Sequence, residues 1–384
     1  MKKLLIVLFT AILAAGFIAC SSPSSSGDSP SGNGGGASTP PAPTYSVTIE
    51  PSTNGTVTAS KTSGIAAGET ITLTVTPADP DDGDCALGSL SVKKGDTDLA
   101  LSGSASTKSF TMPEANVTVS ATFTKTTYIG SKKPSREKAV GDVVFNDGSA
   151  MPYTAFTALT DAEKNAKKTS AIALIFYKGT GLNSDTFTVD DSGNMTVTAS
   201  DTTTSRTLGV GLKHNRDGLE WCTSSANAYS KNITTIQCTP SGSAGALTFT
   251  GDKNGSDNLE QIGAFDGVDD TSTAANYPAF DFAKNYSTYA TNLGENYASG
   301  WYLPSIAELF QIYACRADAT NGFDIDAVSQ ALGGDKFEDS WYWSSSQYAS
   351  VGSRAYILSF YDGNWNYSLK YGNYRYVCAI RAFN

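Results

Sequence analysis

The sequence predicts an α+β protein in which a small all-β module precedes a larger mixed domain. Three observations carry this. Between residues 45 and 124, apolar and polar residues alternate at period two in short runs broken by Gly and Pro, the mark of half-buried strands. Beyond residue 140, helix-start signals alternate with apolar runs of strand length. The 384 residues include 36 glycines and 19 tyrosines, a usage that favours turns and short strands over long helices.

The chain opens Met1-Lys2-Lys3 and is apolar from Leu4 to Ile18. A charged start and a short apolar stretch before the small residue Ala19 read as a secretory signal over residues 1–19. A bilayer-spanning helix needs roughly 20 apolar residues, so this run is short for a membrane span. Phe17-Ile18-Ala19-Cys20 resembles the bacterial lipobox, with Phe17 where Leu is commonest. That resemblance implies lipidation of Cys20 and attachment to a bacterial membrane; Ser21 after the lipid site favours the outer membrane, and the domain at the far end favours display outside. Several acyl chains make a stable anchor where one is marginal. Residues 20–44 are Ser, Gly and Pro with almost nothing apolar, the composition of a flexible tether.

Loss of the signal removes two lysines. The 27 basic residues become 25 against 37 acidic ones, a formal charge of −12. An acidic chain argues against nucleic acid and against anionic lipid head groups as partners.

In the module, the strand runs are Tyr45–Ile49, Gly55–Ala59 and Thr70–Val75, closing with Ser109–Pro113 and Asn116–Phe123. This pattern resembles the divergent bacterial repeat of internalin-like surface proteins, which implies a spacer role. A basic connector, residues 125–139, follows.

In the larger domain, Gly141–Phe145 reads as a strand. Thr160 and Glu163 are spaced as a capping box, which starts a helix to about Lys168. Ala171–Tyr177 is continuously apolar, and its length favours a buried central strand. A helix is expected over Asn276–Tyr289, with Pro278 in its first turn. Ser305 and Glu308 form a second capping box, and Ile306, Leu309, Phe310 and Tyr313 share a face of the helix that follows. Its stop lies at Asp318–Gly322. The segment from Trp341 to Phe383 alternates repeatedly, and Asp362-Gly363 inside it signals a hairpin. Eight tyrosines fall between Trp341 and Tyr376.

Two motifs stand out: Gly300-Trp-Tyr-Leu-Pro-Ser followed by Glu308-Leu309, and Tyr342-Trp-Ser-Ser-Ser followed by Val377-Cys-Ala-Ile-Arg381. Together they resemble a bacterial C-type-lectin-like domain related to the sulfatase-modifying-factor fold. The resemblance implies that residues 140–384 form such a domain, with two main helices and a twisted antiparallel sheet. Within that group the chain looks most like the retroelement-diversified variable proteins, such as the treponemal variable protein. There, adenine mutagenesis turns AAC codons into NNC codons, which never encode Trp, Met, Lys, Glu or Gln. Residues 342–384 correspond to the variable segment.

The resemblance implies a ligand-binding face made of Tyr348, Ser350, Gly352, Ser353, Arg354, Tyr356, Ser359, Tyr361, Asp362, Asn364, Asn366, Tyr367, Ser368, Tyr371, Asn373, Tyr374 and Arg375. Val351, Leu369 and Gly372 satisfy the same codon rule. Phe360, Gly363, Trp365 and Lys370 look like scaffold. The expected partner is a protein or a glycan. Tyr supplies large rigid contacts and Ser, Gly and Asn adaptable ones, the mix used by antibody paratopes. The alternative is a static structural or adhesion lipoprotein, with the same residues forming an edge ladder of cross-strand pairs.

No enzyme is expected. The lone His214 lies in a polar run, and no Gly-x-Ser-x-Gly elbow marks a nucleophile. No cofactor or metal is expected either. Asp79-Pro80-Asp81-Asp82 reads as a solvated acidic loop, and Asp266, Asp269 and Asp270 are a minor candidate for an ion site. The cysteines after Cys20 are expected to pair as Cys222 with Cys238 and Cys315 with Cys378, leaving Cys85 free.

Overall fold

The computed structural model describes residues 41–189, 195–265, 270–271, 275–316 and 323–384. The signal, Cys20, most of the tether, Asp266, Asp269 and the expected stop at 318–322 lie outside the described residues. Among the described residues the chain is a mixture of mostly antiparallel sheets and few helices. No described helix is long and apolar enough to cross a membrane.

The module is two four-stranded sheets facing each other. In Thr70–Pro77, Ile71, Leu73 and Val75 are buried while Thr70, Thr74 and Thr76 face solvent. Val47, Val92, Phe110, Val117 and Val119 close the core from the other strands. Each such side chain contributes about 1.5–3 kcal/mol on burial. The last strand, Val117–Thr127, continues three residues past the boundary expected at 124.

The connector beyond it is not a free linker. Lys133 pairs with Asp79 and, at 2.8 Å, with Asp84. Arg136 reaches Asp79 and Asp81 at 2.8 and 3.0 Å, and Lys125 reaches Asp82 at 2.8 Å. The acidic run stays exposed, as expected of a solvated loop, and the basic connector pairs with it there. On its other side the connector pairs Lys132 with Ala150 of the larger domain.

An eight-stranded sheet organises that domain. In chain order its strands are β1 (Asp142–Phe145), β2 (Ala150–Pro152), β3 (Ala171–Gly179), β4 (Arg206–Leu219), β5 (Trp341–Gln347), β6 (Arg354–Ser359), β7 (Trp365–Leu369) and β8 (Arg375–Ala382). Their order across the sheet is β2-β1-β3-β4-β8-β5-β6-β7. All pairs are antiparallel except β5 with β8, which run parallel at Tyr342 and Tyr376. The β6–β7 hairpin turns outward to form the edge, and the chain then returns to insert β8 between β4 and β5. The expected all-antiparallel sheet is corrected at that one pair.

Both faces of the sheet are covered, so β3 is apolar from Ala171 to Tyr177: Leu174 and Phe176 face one core, Ile172 and Ile175 the other. The described helices are short: α1 (Tyr153–Thr157), α2 (Asp161–Lys168), α3 (Asn258–Ala264), α4 (Pro278–Lys284), α5 (Ile306–Ala314) and α6 (Ile325–Ala331). Both capping boxes are present, Thr160 with Glu163 on α2 and Ser305 with Glu308 on α5. The helix expected over Asn276–Tyr289 is shorter. It ends at Lys284, Asn285 leaves helical geometry, and a 3₁₀ turn follows at Tyr286–Thr288. Asn, Tyr, Ser and Thr are weak helix formers, and here they end the helix. Helices α5 and α6 lie on the first core, and α4 lies on the second.

No disulfide links the described cysteines. Cys238 belongs to the first core and Cys222 to the second, so the sheet separates them. Cys315 instead donates its thiol to the Phe176 carbonyl at 3.4 Å. Cys85, Cys222, Cys238 and Cys378 are free thiols. Burial pushes the Cys222 thiol up to about 12.

Candidate recognition face

The β6–β7 hairpin sits at the edge of the sheet, and its register fixes what is displayed. Ala355 and Ile357 of β6 point into one core, Tyr356 and Leu358 into the other. Tyr356 lies opposite Tyr367 and Leu358 opposite Trp365. Trp365, Tyr367 and Leu369 therefore share one face of β7, while Asn366 and Ser368 share the other.

An aromatic ladder builds the first face. Tyr348 stacks on Tyr367 with centroids 4.2 Å apart, and meets Tyr356 edge-on at 5.4 Å. Tyr356 meets Trp365 edge-on at 5.8 Å. The Arg354 guanidinium lies 4.7 Å from the Tyr367 ring centre, a cation–π contact that fixes both side chains. These rings hold one another in place, which lowers the entropy lost when a ligand lands on them.

At one end, the loop after β7 is anchored from below. Lys370 is fully buried and donates to Ala228 O at 3.1 Å and Gln347 Oε1 at 3.2 Å, with its ammonium 4.4 Å from the Trp221 ring centre. Burial without a carboxylate pulls its pKa down to about 7. Above this anchor, Tyr371 packs edge-on against Tyr229 at 5.9 Å, and the Gly372 amide donates to Glu220 at 2.7 Å. At the other end, the hairpin tip carries Tyr361, 76% exposed, beside a cleft of about 550 Å³ with Phe310, Tyr313 and Arg316. Gly363 turns the tip with φ of 71°, and a side chain on it would strike the Tyr313 ring. The Ser359 hydroxyl, then Asn364, hold the Asp362 carboxyl below its usual range.

The structure sorts the expected site residues by exposure. Ser350, Tyr361, Asn364, Asn366, Tyr367, Tyr371 and Tyr374 are exposed, as are Val351, Leu369 and Gly372. Tyr348, Gly352, Ser353, Arg354, Asp362, Asn373 and Arg375 are half-buried. Tyr356, Ser359 and Ser368 are buried and leave the face. Tyr356 is a core ring whose phenol burial pushes up to about 12. Ser368 accepts from Arg375 at 3.2 Å. Gly352 is also corrected as a freely variable position, because a Cβ there would lie 2.5 Å from Ser230 O and 2.7 Å from the Lys231 carbonyl carbon. Of the expected scaffold, Phe360, Gly363 and Lys370 are buried and Trp365 is half-buried.

Glu220, Tyr229 and Tyr313 were missed. They reach the face from loops and a helix distant in sequence; the helical spacing that places Tyr313 beside Phe310 carries no sign of this contact. His214 packs on Phe337 at 4.2 Å, and burial pulls it down to about 4, which keeps the ring neutral. Asp270 accepts from the Tyr277 hydroxyl and the Asn227 amide. Among the described residues, no group of three or more His, Cys, Asp or Glu is placed to hold a metal ion.

Residues 45–127 match the model of the divergent InlB B-repeat domain, and that is the class of the first folded unit. No curated protein matches the chain. The solved structures similar to it include the following two. A fimbrial protein from Bacteroides ovatus is 13% identical, with a TM-score of 0.39, covering 88% of this chain and 69% of that one. The adhesin InvE of Yersinia pseudotuberculosis is 11% identical, with a TM-score of 0.15, covering 85% and 97%.

Proposed function

We propose that the protein is a lipid-anchored, surface-displayed binding protein. In this reading Cys20 and the tether hold it to the membrane, the repeat module is a spacer, and the edge of a C-type-lectin-like domain meets a protein or glycan. One observation carries the reading. Eight large apolar side chains are exposed among the described residues, and six of them, Val351, Tyr361, Tyr367, Leu369, Tyr371 and Tyr374, lie in one 24-residue stretch. A concentrated patch of exposed aromatics marks an interaction surface, and Tyr is a favoured anchor at interfaces. The ion-paired connector supports the spacer role, since it ties the module to the domain.

The segment is also a candidate for retroelement diversification. The exposed positions all obey the NNC rule, while the intervening Phe360, Gly363 and Lys370 are buried. A static adhesion protein of the same architecture would lack a near-copy of this coding segment differing mainly at adenines, so sequencing the flanking DNA separates the two.

Recognition is tested with the full chain on beads, probed against arrayed glycans and purified surface proteins. Binders of the wild type should be lost when Tyr361, Tyr371 and Tyr374 become Ala. Binding unchanged in that variant would remove the face from the function.

A further inference from the structure

We infer that β7 is an open docking edge for an extended, carboxylate-bearing segment of a partner polypeptide, which joins the sheet as a ninth strand. The inference rests on the recognition reading above and names its partner class.

The register decides which backbone groups are free. Ser359 N donates to Asn364 O and Lys370 N to Ser353 O, which marks both as hydrogen-bonded pairs. Counting by twos, Asn366 and Ser368 aim their peptide groups at β6. Those of Trp365, Tyr367 and Leu369 aim outward. Among the described residues, one of these groups has a partner: Tyr367 N–H donates to the Asn366 side chain at 2.8 Å. The rest form a row with the spacing that a further strand would match.

The two edges of the sheet are treated differently. At the far edge, β2 is three residues long, ends in Pro152, and is covered by a reciprocal pairing between Lys132 and Ala150. Short length, proline and a covering segment are the usual guards against unwanted pairing. Strand β7, Trp-Asn-Tyr-Ser-Leu, has no charge, no proline and no irregularity of register.

Charge selects the partner. Arg354 lies over the Tyr367 ring on one face, and Arg375 donates to Ser368 on the other. Neither has a carboxylate partner among the described residues, in a chain with ten more acidic than basic residues. An added strand bearing Asp or Glu would place carboxylates beside both. Its main chain would supply affinity and its alternate side chains specificity, as in other strand-addition complexes. A second copy fits less well. Pairing β7 with itself about a two-fold axis would bring two Arg354–Tyr367 pairs together and set like charges side by side.

The probes are fluorescent ten-residue peptides of alternating Thr and Val: one with two central Glu, one with Lys in those places, and one with a central Pro. The expected result is binding of the Glu peptide to the full chain, about tenfold weaker binding of the Lys peptide, and none of the Pro peptide. Amide exchange at Trp365 and Leu369 should slow most with the Glu peptide, less with the Lys peptide and not with the Pro peptide. Arg354→Gln should bring the Glu and Lys peptides closer together. Leu369→Pro removes an outward N–H and no bond to β6, so it should abolish binding with circular dichroism unchanged. If that variant unfolds, the exchange measurement in the wild type decides alone. Equal affinity for all three peptides, or no slowing at Trp365 and Leu369, would overturn the inference. Slowing of those amides with rising protein concentration and no peptide, together with a dimer in light scattering, would assign the edge to a second copy and overturn it too. If the peptides fail while the Tyr→Ala variant still loses its arrayed ligand, strand addition falls and the recognition reading stands.

Discussion

Strands β5 and β7 are one strand apart and written in nearly the same alphabet, yet they do opposite work. In Trp341-Tyr-Trp-Ser-Ser-Ser-Gln347, all but Trp341 are buried. Ser344 Oγ donates to Tyr356 O, Ser345 Oγ accepts from Asn258, Ser346 Oγ accepts from the Ile306 amide, and Gln347 joins Lys231, Asn232, Ile233 and Lys370. In Trp365-Asn-Tyr-Ser-Leu369, three of five residues are exposed. Polarity alone does not tell these strands apart. What differs is whether a neighbour lies on the far side, since a buried hydroxyl needs a partner and an exposed one has water.

The largest expected effect lies in the buried half. Glu308 is fully buried, and takes Arg206 at 2.9 Å, the Tyr302 hydroxyl, and the Gly255 and Ser305 amides. Glu308→Ala strands a buried guanidinium and two amides, and should cost about 3–5 kcal/mol in urea unfolding. A loss near zero would mean that this network is as dispensable as the edge.

Lys370 joins the two regions and gives a pH signature. Its folded pKa of about 7 lies below the unfolded value of 10.5, so between these values the unfolded chain holds the extra proton. Stability from this group therefore rises with pH above 7, at up to about 1.4 kcal/mol per unit, and is flat below. Comparison of wild type with Lys370→Met between pH 7 and 8.5 isolates this term before the buried thiols begin to oppose it. The wild type should gain about 1–2 kcal/mol relative to the variant. A constant difference would place a counter-charge beside Lys370.

Two glycines sharpen the boundary. Gly352→Asn should cost about 1–3 kcal/mol, because it drives a Cβ into the backbone of residues 230–232. Gly372→Asn should be nearly neutral, since φ is 71° with nothing within 4 Å and Asn tolerates that region. Thermal melting of the two variants checks both, and a reversed order would contradict the assignment of residues 371–374 to the open face.

Much of this was legible in the sequence where the signal is local. Capping boxes at Thr160 and Ser305, the period-two strands of the module, the apolar run of β3 and the hairpin at Asp362-Gly363 each depend on neighbours within a few residues. The exposed tyrosines are legible in the sequence as a set, but nothing local separates them from the buried Tyr356. Tyr356 and Tyr367 look alike until the register puts one in the core and the other on the edge. The Asp79–Asp84 clamp, the separation of Cys222 from Cys238, the parallel β5–β8 pair and the parts played by Glu220, Tyr229 and Tyr313 all depend on contacts far apart in the chain. No local spacing encodes them.

The smallest effect on stability belongs to the edge, and there the central claim is tested most directly. Tyr361, Tyr371 and Tyr374 are replaced together by Ala, and melting is measured beside binding to whatever ligand the wild type selects from the arrays. Exposed substitutions of this kind usually stay within about ±0.5 kcal/mol each. The account predicts a melting temperature shifted by only a few degrees and binding lost by about a hundredfold, consistent with hot-spot aromatics. A melting curve that collapses while binding per folded molecule is retained would make the tyrosines structural and contradict it.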